Sequence, residues 1–447
     1  MAKPSFSDLL IAILVASLVL AACTGGGAGQ VVNTPTLLLP TLTSTTTPEA
    51  TLTSPPPTAT ATIAPTVTLA ETSTPTPTTL PSGITTLPPL QAGQAITITF
   101  IDMVDSSTGW AIGGQADPGD HVLRTQDGGT AWQDVTPPEA ALEGDQSRKA
   151  ALGTFLNADT GWVTYYQSDS RAPQEAPVVW VTHDGGVSWE SSQAFGAGLL
   201  EELYLPSDLM FVDSQTGWLL AHLGAGMNHD YFTLFGSTDG GKTWQTLVDP
   251  FQGDLQSCTK TGIVFANAQM GWLTGDCHAV APGVFLYTTG DGGRTWTSQE
   301  IPVPANAPAD FFSLPFLGCG TYDPLFVPPD NVILEVQCDN FQLSTTAYYL
   351  YRTTDGGTNW SVNSFPGQSL LFISPEVGWA LGRDIYQTAD GGQTWNQVGS
   401  VNWDGQFDFV DEQLGWAVAR ADGQIALVKT EDGGSSWQEL QPAIALP

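Results

Sequence analysis

The sequence predicts an all-β fold, a seven-bladed β-propeller preceded by a signal peptide and a disordered stalk. A Ser/Thr-x-Asp-Gly-Gly-x-x-Trp box occurs seven times, and its aspartates lie 35 to 64 residues apart. Each interval has room for four short strands separated by turn signals, which is the content of one propeller blade. A second motif accompanies the boxes: a Phe, an Asp or Asn two positions later, then Gly-Trp. An incomplete terminal unit would give a different number of blades.

The chemistry of the box predicts a structural role for its aspartate. Asp-Gly-Gly supplies a tight turn with positive φ angles. The carboxylate can accept hydrogen bonds from N–H groups of its own loop. Equivalent carboxylates spread over seven repeats do not form a catalytic pair. The box aspartates are Asp127, Asp184, Asp239, Asp291, Asp355, Asp390 and Asp432.

Composition and charge exclude several functional classes. The 447 residues carry 45 Asp and Glu against 12 Lys and Arg, a net charge of -33. Binding of nucleic acid needs a basic surface, so we expect no nucleic-acid partner. Charged residues make up only 13% of the chain, which argues against a helical bundle or coiled coil.

The N-terminus predicts export and anchoring. Residues 1–22 have one basic residue, Lys3, followed by an apolar run too short to span a bilayer comfortably. This run ends in Leu-Ala-Ala-Cys, which resembles a bacterial lipobox and predicts lipidation of Cys23. The alternative is an ordinary signal peptide with an incidental cysteine. We therefore expect an extracytoplasmic lipoprotein anchored to the cell membrane.

A Thr/Pro-rich segment follows the predicted lipid site. Residues 31–90 contain 21 Thr, 12 Pro and no aromatic residue. Such a segment buries too little apolar surface to order itself. We expect residues 23–94 to form a disordered linker and residues 95–447 to form the propeller.

The other four cysteines occur at identical offsets in two consecutive repeats. Cys258 and Cys277 flank one Phe motif as Cys319 and Cys338 flank the next. The midpoint of each pair falls in a predicted turn between two strands, so the partners are near cross-strand neighbours. This arrangement predicts the disulfides Cys258–Cys277 and Cys319–Cys338. A Cys₄ zinc site is the alternative, although no Cys-x-x-Cys spacing supports it.

Propeller geometry places both repeated motifs on one face and the irregular loops on the opposite face, where binding is expected. Counting four residues beyond the Gly-Trp position of each repeat marks Tyr166, His222, Arg383 and Arg420 as pointing toward the loop face. We predict these four as a partner-binding set. The histidines show no metal-ligand spacing and no Asp-x-Asp-x-Asp-Gly loop is present, so neither a metal nor a cofactor is predicted.

The motifs also resemble known families. Asp-Gly-Gly-x-Thr-Trp resembles the Asp-box, or BNR repeat, of sialidases and other propellers. Together with Phe-x-Asp-x-x-x-Gly-Trp, over roughly residues 97–441, it is similar to the photosystem II stability/assembly-factor family. That resemblance implies a role in photosynthesis and client binding through an arginine patch, for which only Arg383 and Arg420 fit.

The predicted function is therefore a membrane-anchored propeller that binds a protein partner as an assembly or scaffold factor. The alternative is a cell-surface carbohydrate-binding or sialidase-like glycoside hydrolase propeller. A sialidase needs three convergent arginines and usually a Phe/Tyr-Arg-Ile-Pro motif, which this chain lacks. We therefore expect no enzymatic activity, while carbohydrate remains a candidate ligand.

Overall fold

A computed structural model describes residues 86–139, 149–167, 176–199, 203–226, 229–251, 253–277, 283–367 and 369–446. These residues belong to the compact unit Thr74–Pro447. The predicted signal peptide, lipidated Cys23 and most of the predicted linker lie outside the described residues. Among the residues that are described, no helix has the length and apolar character needed to cross a membrane.

The prediction of an all-β propeller-like fold is confirmed. Within the described ranges, each of the repeats forms a four-stranded antiparallel sheet in which consecutive strands pair. Repeats 1 to 3 contain β1 (Thr97–Met103), β2 (Gly109–Gly114), β3 (His121–Thr125), β4 (Ala131–Asp134), β5 (Lys149–Phe155), β6 (Gly161–Gln167), β7 (Val179–Thr182), β8 (Glu190–Ser191), β9 (Leu205–Phe211), β10 (Gly217–Gly226), β11 (His229–Ser237) and β12 (Gln245–Val248). Repeats 4 and 5 contain β13 (Thr259–Phe265), β14 (Gly271–Asp276), β15 (Phe285–Thr289), β16 (Thr297–Ser298), β17 (Leu317–Val327), β18 (Asn331–Asn340), β19 (Thr345–Thr353) and β20 (Ser361–Ser364). Repeats 6 and 7 contain β21 (Ser369–Phe372), β22 (Gly378–Leu381), β23 (Asp384–Thr388), β24 (Asn396–Ser400), β25 (Asp404–Phe409), β26 (Gly415–Ala421), β27 (Gln424–Thr430) and β28 (Gln438–Glu439).

Three further elements complete the described chain. Two short 3-10 helices, η1 (Asp254–Gln256) and η2 (Phe311–Ser313), precede repeats 4 and 5. The last strand, β29 (Ala443–Ile444), pairs in parallel with β4 and becomes a fifth strand of the first sheet. One pair, Asp276 with Gly320, joins the sheets of repeats 4 and 5.

The two sequence motifs meet where consecutive repeats pack. The Trp218 ring of repeat 3 stacks on the Phe265 ring of repeat 4, with centroids 3.6 Å apart. The Trp218 indole N–H also donates to the carbonyl of Gly292, in the box of repeat 4, at 3.0 Å. Trp162, Trp379 and Trp416 donate in the same way to the box of the following repeat. These four Gly-Trp motifs therefore bind their repeats to the next one.

The box geometry is best seen in repeat 4. The Thr289 hydroxyl accepts from the Gly293 N–H at 3.0 Å and donates to the Asp291 carboxylate at 2.9 Å. That carboxylate also accepts from the backbone and hydroxyl of Thr295, which lowers the pKa of Asp291. Gly292 and Gly293 have φ angles of 77° and 90°, a left-handed region that disfavours side chains. The Asp291 carboxylate therefore stabilises the turn in which it lies.

Both predicted disulfides are present. Cys258 bonds Cys277 and Cys319 bonds Cys338, with Cα–Cα distances of 4.8 and 4.2 Å. All four cysteines are buried. Their sulfurs are consequently not available as zinc ligands.

Candidate functional site

A cleft of about 390 Å³ lies between repeats 6, 7 and 1. Its walls come from the β22–β23, β26–β27 and β2–β3 connections and from the segment before β25, the class of loops in which binding was expected. Two predicted residues, Arg383 and Arg420, line it together. Its other polar lining residues are Asp117, Asn402, Asp404, Asp422 and Gln424.

Arg383 forms a two-point ion pair in this cleft. Its Nε donates to Asp404 Oδ1 and its Nη2 to Asp404 Oδ2, both at 3.1 Å. The hydrogen bond from Arg383 lowers the pKa of Asp404 and raises that of Arg383. The two side chains are 64% and 69% exposed, so the pair is presented to solvent.

Arg420 is held more firmly on the opposite side. Its Nη1 lies 2.6 Å from Asp117 Oδ2, and its Nη2 donates to the Thr99 carbonyl at 3.2 Å. Tyr166 packs against the core between repeats 2 and 3 and does not line the cleft. Two of the four residues predicted to bind a partner, Arg383 and Arg420, therefore meet in this cleft.

His222 belongs to a different cluster. Its Nδ1 lies 2.9 Å from Asp230 Oδ1 in repeat 3, and Asp230 Oδ2 accepts from the Lys260 N–H in repeat 4 at 2.8 Å. The Lys260 ammonium donates to the Cys258 carbonyl at 2.6 Å, and burial lowers the Lys260 pKa to about 8. His222 is thus part of the packing between repeats 3 and 4.

A polar stripe missed by the sequence reasoning runs from the cleft along β25. Asp404, Gln406 and Asp408 occupy alternate positions and so face one side of the strand. The Gln406 side-chain amide accepts from the Ile101 N–H at 3.0 Å and donates to the Ile101 carbonyl at 2.8 Å. Asp408 accepts from the N–H of Met103. We call this contact between β25 and β1 the seam, because it joins repeat 7 to repeat 1.

The seam contains two carboxyl groups with perturbed protonation. Burial raises the pKa of Asp102 to about 6. Burial, reinforced by the charge of Asp102, raises the pKa of Asp408 to about 7. At neutral pH Asp408 is therefore about half protonated, whereas the pKa of the ion-paired Asp404 at the other end of β25 is lowered.

A sequence signal for the stripe did exist. In the position directly before the Phe of the motif (Met103 in repeat 1), repeats 1 and 7 have aspartates, Asp102 and Asp408. The other repeats have Thr154, Met210, Val264, Leu325 and Leu371 there. Comparing the repeats position by position would have shown these two exceptions. Among the described residues, no group of three or more His, Cys, Asp or Glu has the geometry to hold a metal ion.

Comparison with known proteins gives a distant similarity to a carbohydrate-cleaving enzyme. No family model matches the chain. A xyloglucanase from Paenibacillus sp. is 19% identical over 337 residues, which cover 63% of this chain and 30% of that enzyme. The chain thus spans under a third of the length of this relative.

Two solved structures match this chain at low identity and with TM-scores below 0.5. A GH74 xyloglucanase from Xanthomonas campestris has 13% identity and a TM-score of 0.27, covering 78% of this chain and 73% of its own. A Penicillium chrysogenum α-L-arabinanase complexed with arabinobiose has 10% identity and a TM-score of 0.41, covering 64% and 93%.

The xyloglucanase match corrects three predictions. The resemblance to photosystem II assembly factors, with its implied role in photosynthesis, is wrong. So are the protein-scaffold function and the expectation of no enzymatic activity; the glycoside hydrolase alternative is the better reading. The physical reason is that both motifs are packing devices, as the contact between Trp218 and Phe265 shows. Motifs that build a fold recur in propellers of unrelated function.

Proposed function

We propose that this protein is a carbohydrate-active propeller that binds a polysaccharide in the cleft formed by Asp117, Arg383, Asp404 and Arg420. The observation that carries the proposal is the cleft itself, in which two ion pairs face one open space. A cleft of about 390 Å³ falls within the usual range for small-ligand sites. The xyloglucanase similarity points to the same class of ligand.

The chemistry of the cleft suits sugar hydroxyls. Carboxylates accept from sugar O–H groups and guanidinium groups donate to sugar oxygens, and the cleft is lined by both kinds of group. Because the charges of Arg383 and Asp404 hold one another in place, less ordering is required when a sugar binds.

Hydrolysis of the bound polysaccharide is the second candidate function, and the pair Asp102 and Asp408 favours it. Glycoside hydrolysis uses two carboxyl groups, one of them protonated near neutral pH. Asp408 has the raised pKa that a general acid needs. Asp404 is four positions away on the same strand, about 13 Å at ~3.3 Å per residue, which exceeds the carboxyl separations of known mechanisms. Asp102, on β1 across the seam, has a charge that raises the pKa of Asp408, and it is the partner we assign to Asp408.

Polysaccharide binding would suit display at the cell surface. We propose that residues 1–22 direct export, that Cys23 carries the lipid, and that residues 23–94 hold the propeller (residues 95–447) away from the membrane. Metabolic labelling with a fatty acid, in wild type and Cys23→Ala, tests this arrangement. Label retained in the variant would contradict it.

Binding is tested by calorimetry with xyloglucan and with arabinan. The double variant Arg383→Met/Arg420→Met should lose at least tenfold in affinity, whereas Arg294→Met, an exposed arginine beside a box, should bind as wild type does. A wild-type protein that binds neither polysaccharide would overturn the proposal. Equal affinity of wild type and the cleft variant would show that the polysaccharide binds outside the cleft.

Hydrolysis is tested by release of reducing ends from the same polysaccharides. Asp102→Asn and Asp408→Asn should each reduce the rate at least a hundredfold, while the exposed-site control Asp310→Asn should leave it unchanged. Binding without release of reducing ends would limit the function to recognition.

A further inference from the structure

The four buried cysteines form a continuous row across neighbouring strands. Thr259 pairs with Asp276, Asp276 with Gly320, and Gly320 with Gln337. Each of these pairs is antiparallel, so the row continues to the next position, which lies within β17 and β18 and directly beyond the ends of β13 and β14. That position is occupied in order by Cys258, Cys277, Cys319 and Cys338.

The row brings the two disulfides together at its centre. Residues directly opposite in a sheet point to the same face. Continuing the register therefore places Cys277 of repeat 4 opposite Cys319 of repeat 5, each already bonded to its outer neighbour. Opposed antiparallel residues have Cα atoms roughly 4.5–5.5 Å apart, within the usual range for a disulfide.

We propose that this row is a thiol–disulfide exchange relay, in which reduction of either native disulfide moves the remaining bond to Cys277–Cys319. The native bonds each staple two strands of one repeat. The exchanged bond instead crosslinks repeat 4 to repeat 5, and it leaves Cys258 and Cys338 as thiols at the two ends of the row.

The exchange balances with one dithiol as reductant. The dithiol reduces Cys319–Cys338 to two thiols and is itself oxidised to a disulfide. The Cys319 thiolate then attacks Cys277 Sγ; the Cys277–Cys319 bond forms, the Cys258–Cys277 bond breaks, and Cys258 leaves as a thiolate. Reduction of the other pair gives the same product, with Cys277 attacking Cys319 and Cys338 leaving.

A buried cation lies at one end of the row. The Lys260 ammonium donates to the Cys258 carbonyl at 2.6 Å and also to the Ser257 carbonyl at 2.8 Å. Lys260 is 4% exposed, so its charge acts in a medium of low dielectric constant. A cation in this position stabilises a departing Cys258 thiolate, which favours attack at Cys277.

The positions of the trypsin cleavage sites allow the native and exchanged disulfides to be distinguished by the peptides they link. Cleavage after Lys242, Lys260, Arg294 and Arg352 separates Cys258, Cys277 and the Cys319/Cys338 pair into three peptides. The native bonds link peptide 243–260 to 261–294 and leave 295–352 closed on itself. The exchanged bond links 261–294 to 295–352.

Three single variants of the full chain, alkylated at low pH and mapped without reduction, test the proposal. Cys258→Ser and Cys338→Ser each free one central thiol and should both yield the link between 261–294 and 295–352. Cys277→Ser frees Cys258, which lies two strands from Cys319, about 10 Å away at ~4.8 Å per strand. The link between 243–260 and 295–352 should therefore be at least tenfold rarer in Cys277→Ser than the exchanged link in Cys258→Ser.

A second experiment uses wild-type protein treated with limiting dithiothreitol, so its result does not depend on whether the variants fold. It should accumulate the exchanged link before all four cysteines become alkylatable. Full alkylation of Cys277 in Cys258→Ser, with Cys319–Cys338 intact, would overturn the relay. So would loss of the native links in wild type without appearance of the exchanged one.

Discussion

Replacing Asp408 with Asn is expected to remove much of the pH dependence of this protein's stability. The pKa of Asp408 is about 7 in the folded chain, against 3.8 for an ordinary aspartate. Between these values the folded state holds a proton that the unfolded state has released. The stabilisation that the protonated Asp408 provides is fully present below about pH 4. It is lost, and the free energy of unfolding falls, as the pH rises through about 7.

The size of the effect follows from the two pKa values. A difference of about three units corresponds to about 4 kcal/mol at 1.36 kcal/mol per unit. Asp408 is half-buried and shares its environment with Asp102, so we take about half of this, ~2 kcal/mol. Asn keeps an oxygen that accepts from the Met103 N–H and carries no charge. The variant should therefore exceed wild type by about 2 kcal/mol near pH 8 and match it near pH 4.5.

Urea unfolding followed by tryptophan fluorescence, at several pH values from about 4.5 to 8.5, measures this difference. Asp310→Asn makes the same chemical change at an exposed position and should show no pH-dependent gain. If Asp408→Asn is instead less stable than wild type near pH 8, the ionised carboxylate stabilises the seam and the reasoning is refuted.

Three further predictions concern the packing between and within repeats. Trp416→Phe removes the 2.9 Å bond from repeat 7 to the box of repeat 1 and should cost about 1–2 kcal/mol in urea unfolding; an unchanged midpoint would contradict it. Gly271→Ala places a Cβ 2.5 Å from the preceding Phe ring and should cost ~2–3 kcal/mol, whereas Gly290→Ala, with open space around it, should be much milder; equal melting temperatures would refute the steric argument. Thr289→Val removes the hydroxyl that bonds Asp291 and should lower the free energy of unfolding by about 1–2 kcal/mol. An unchanged melting temperature in calorimetry would contradict this prediction.

The fold was predictable because its packing units are visible in the sequence. Every Gly-Trp motif precedes a box at a distance that fits two strands, and the structure uses both in one contact between repeats, as Trp218 and Gly292 show. The disulfides were predictable for the same reason, since equal offsets imply equal register. Repeats of this kind can therefore be recognised from the sequence without a structure.

The candidate site was only partly predictable. Arg383 and Arg420 could be placed on the loop face by counting along a strand, but their partners could not. Asp117 lies 303 residues from Arg420 in the chain, and no local pattern links the two. The raised pKa values of Asp102 and Asp408 likewise arise from burial where repeats 1 and 7 meet. Function was misjudged because the motifs describe how the repeats pack and not what the cleft binds.

The seam has a consequence for the order of folding. Its bonds join residues about 300 positions apart, such as Gln406 with Ile101, while the pairs within each repeat are local. Loop-closure entropy delays contacts of such long range. The outer edge of β4 also stays open until β29, near the end of the chain, pairs with it. During synthesis the first repeat thus exposes an unpaired strand edge, which is covered only by β29, a strand made after all seven repeats.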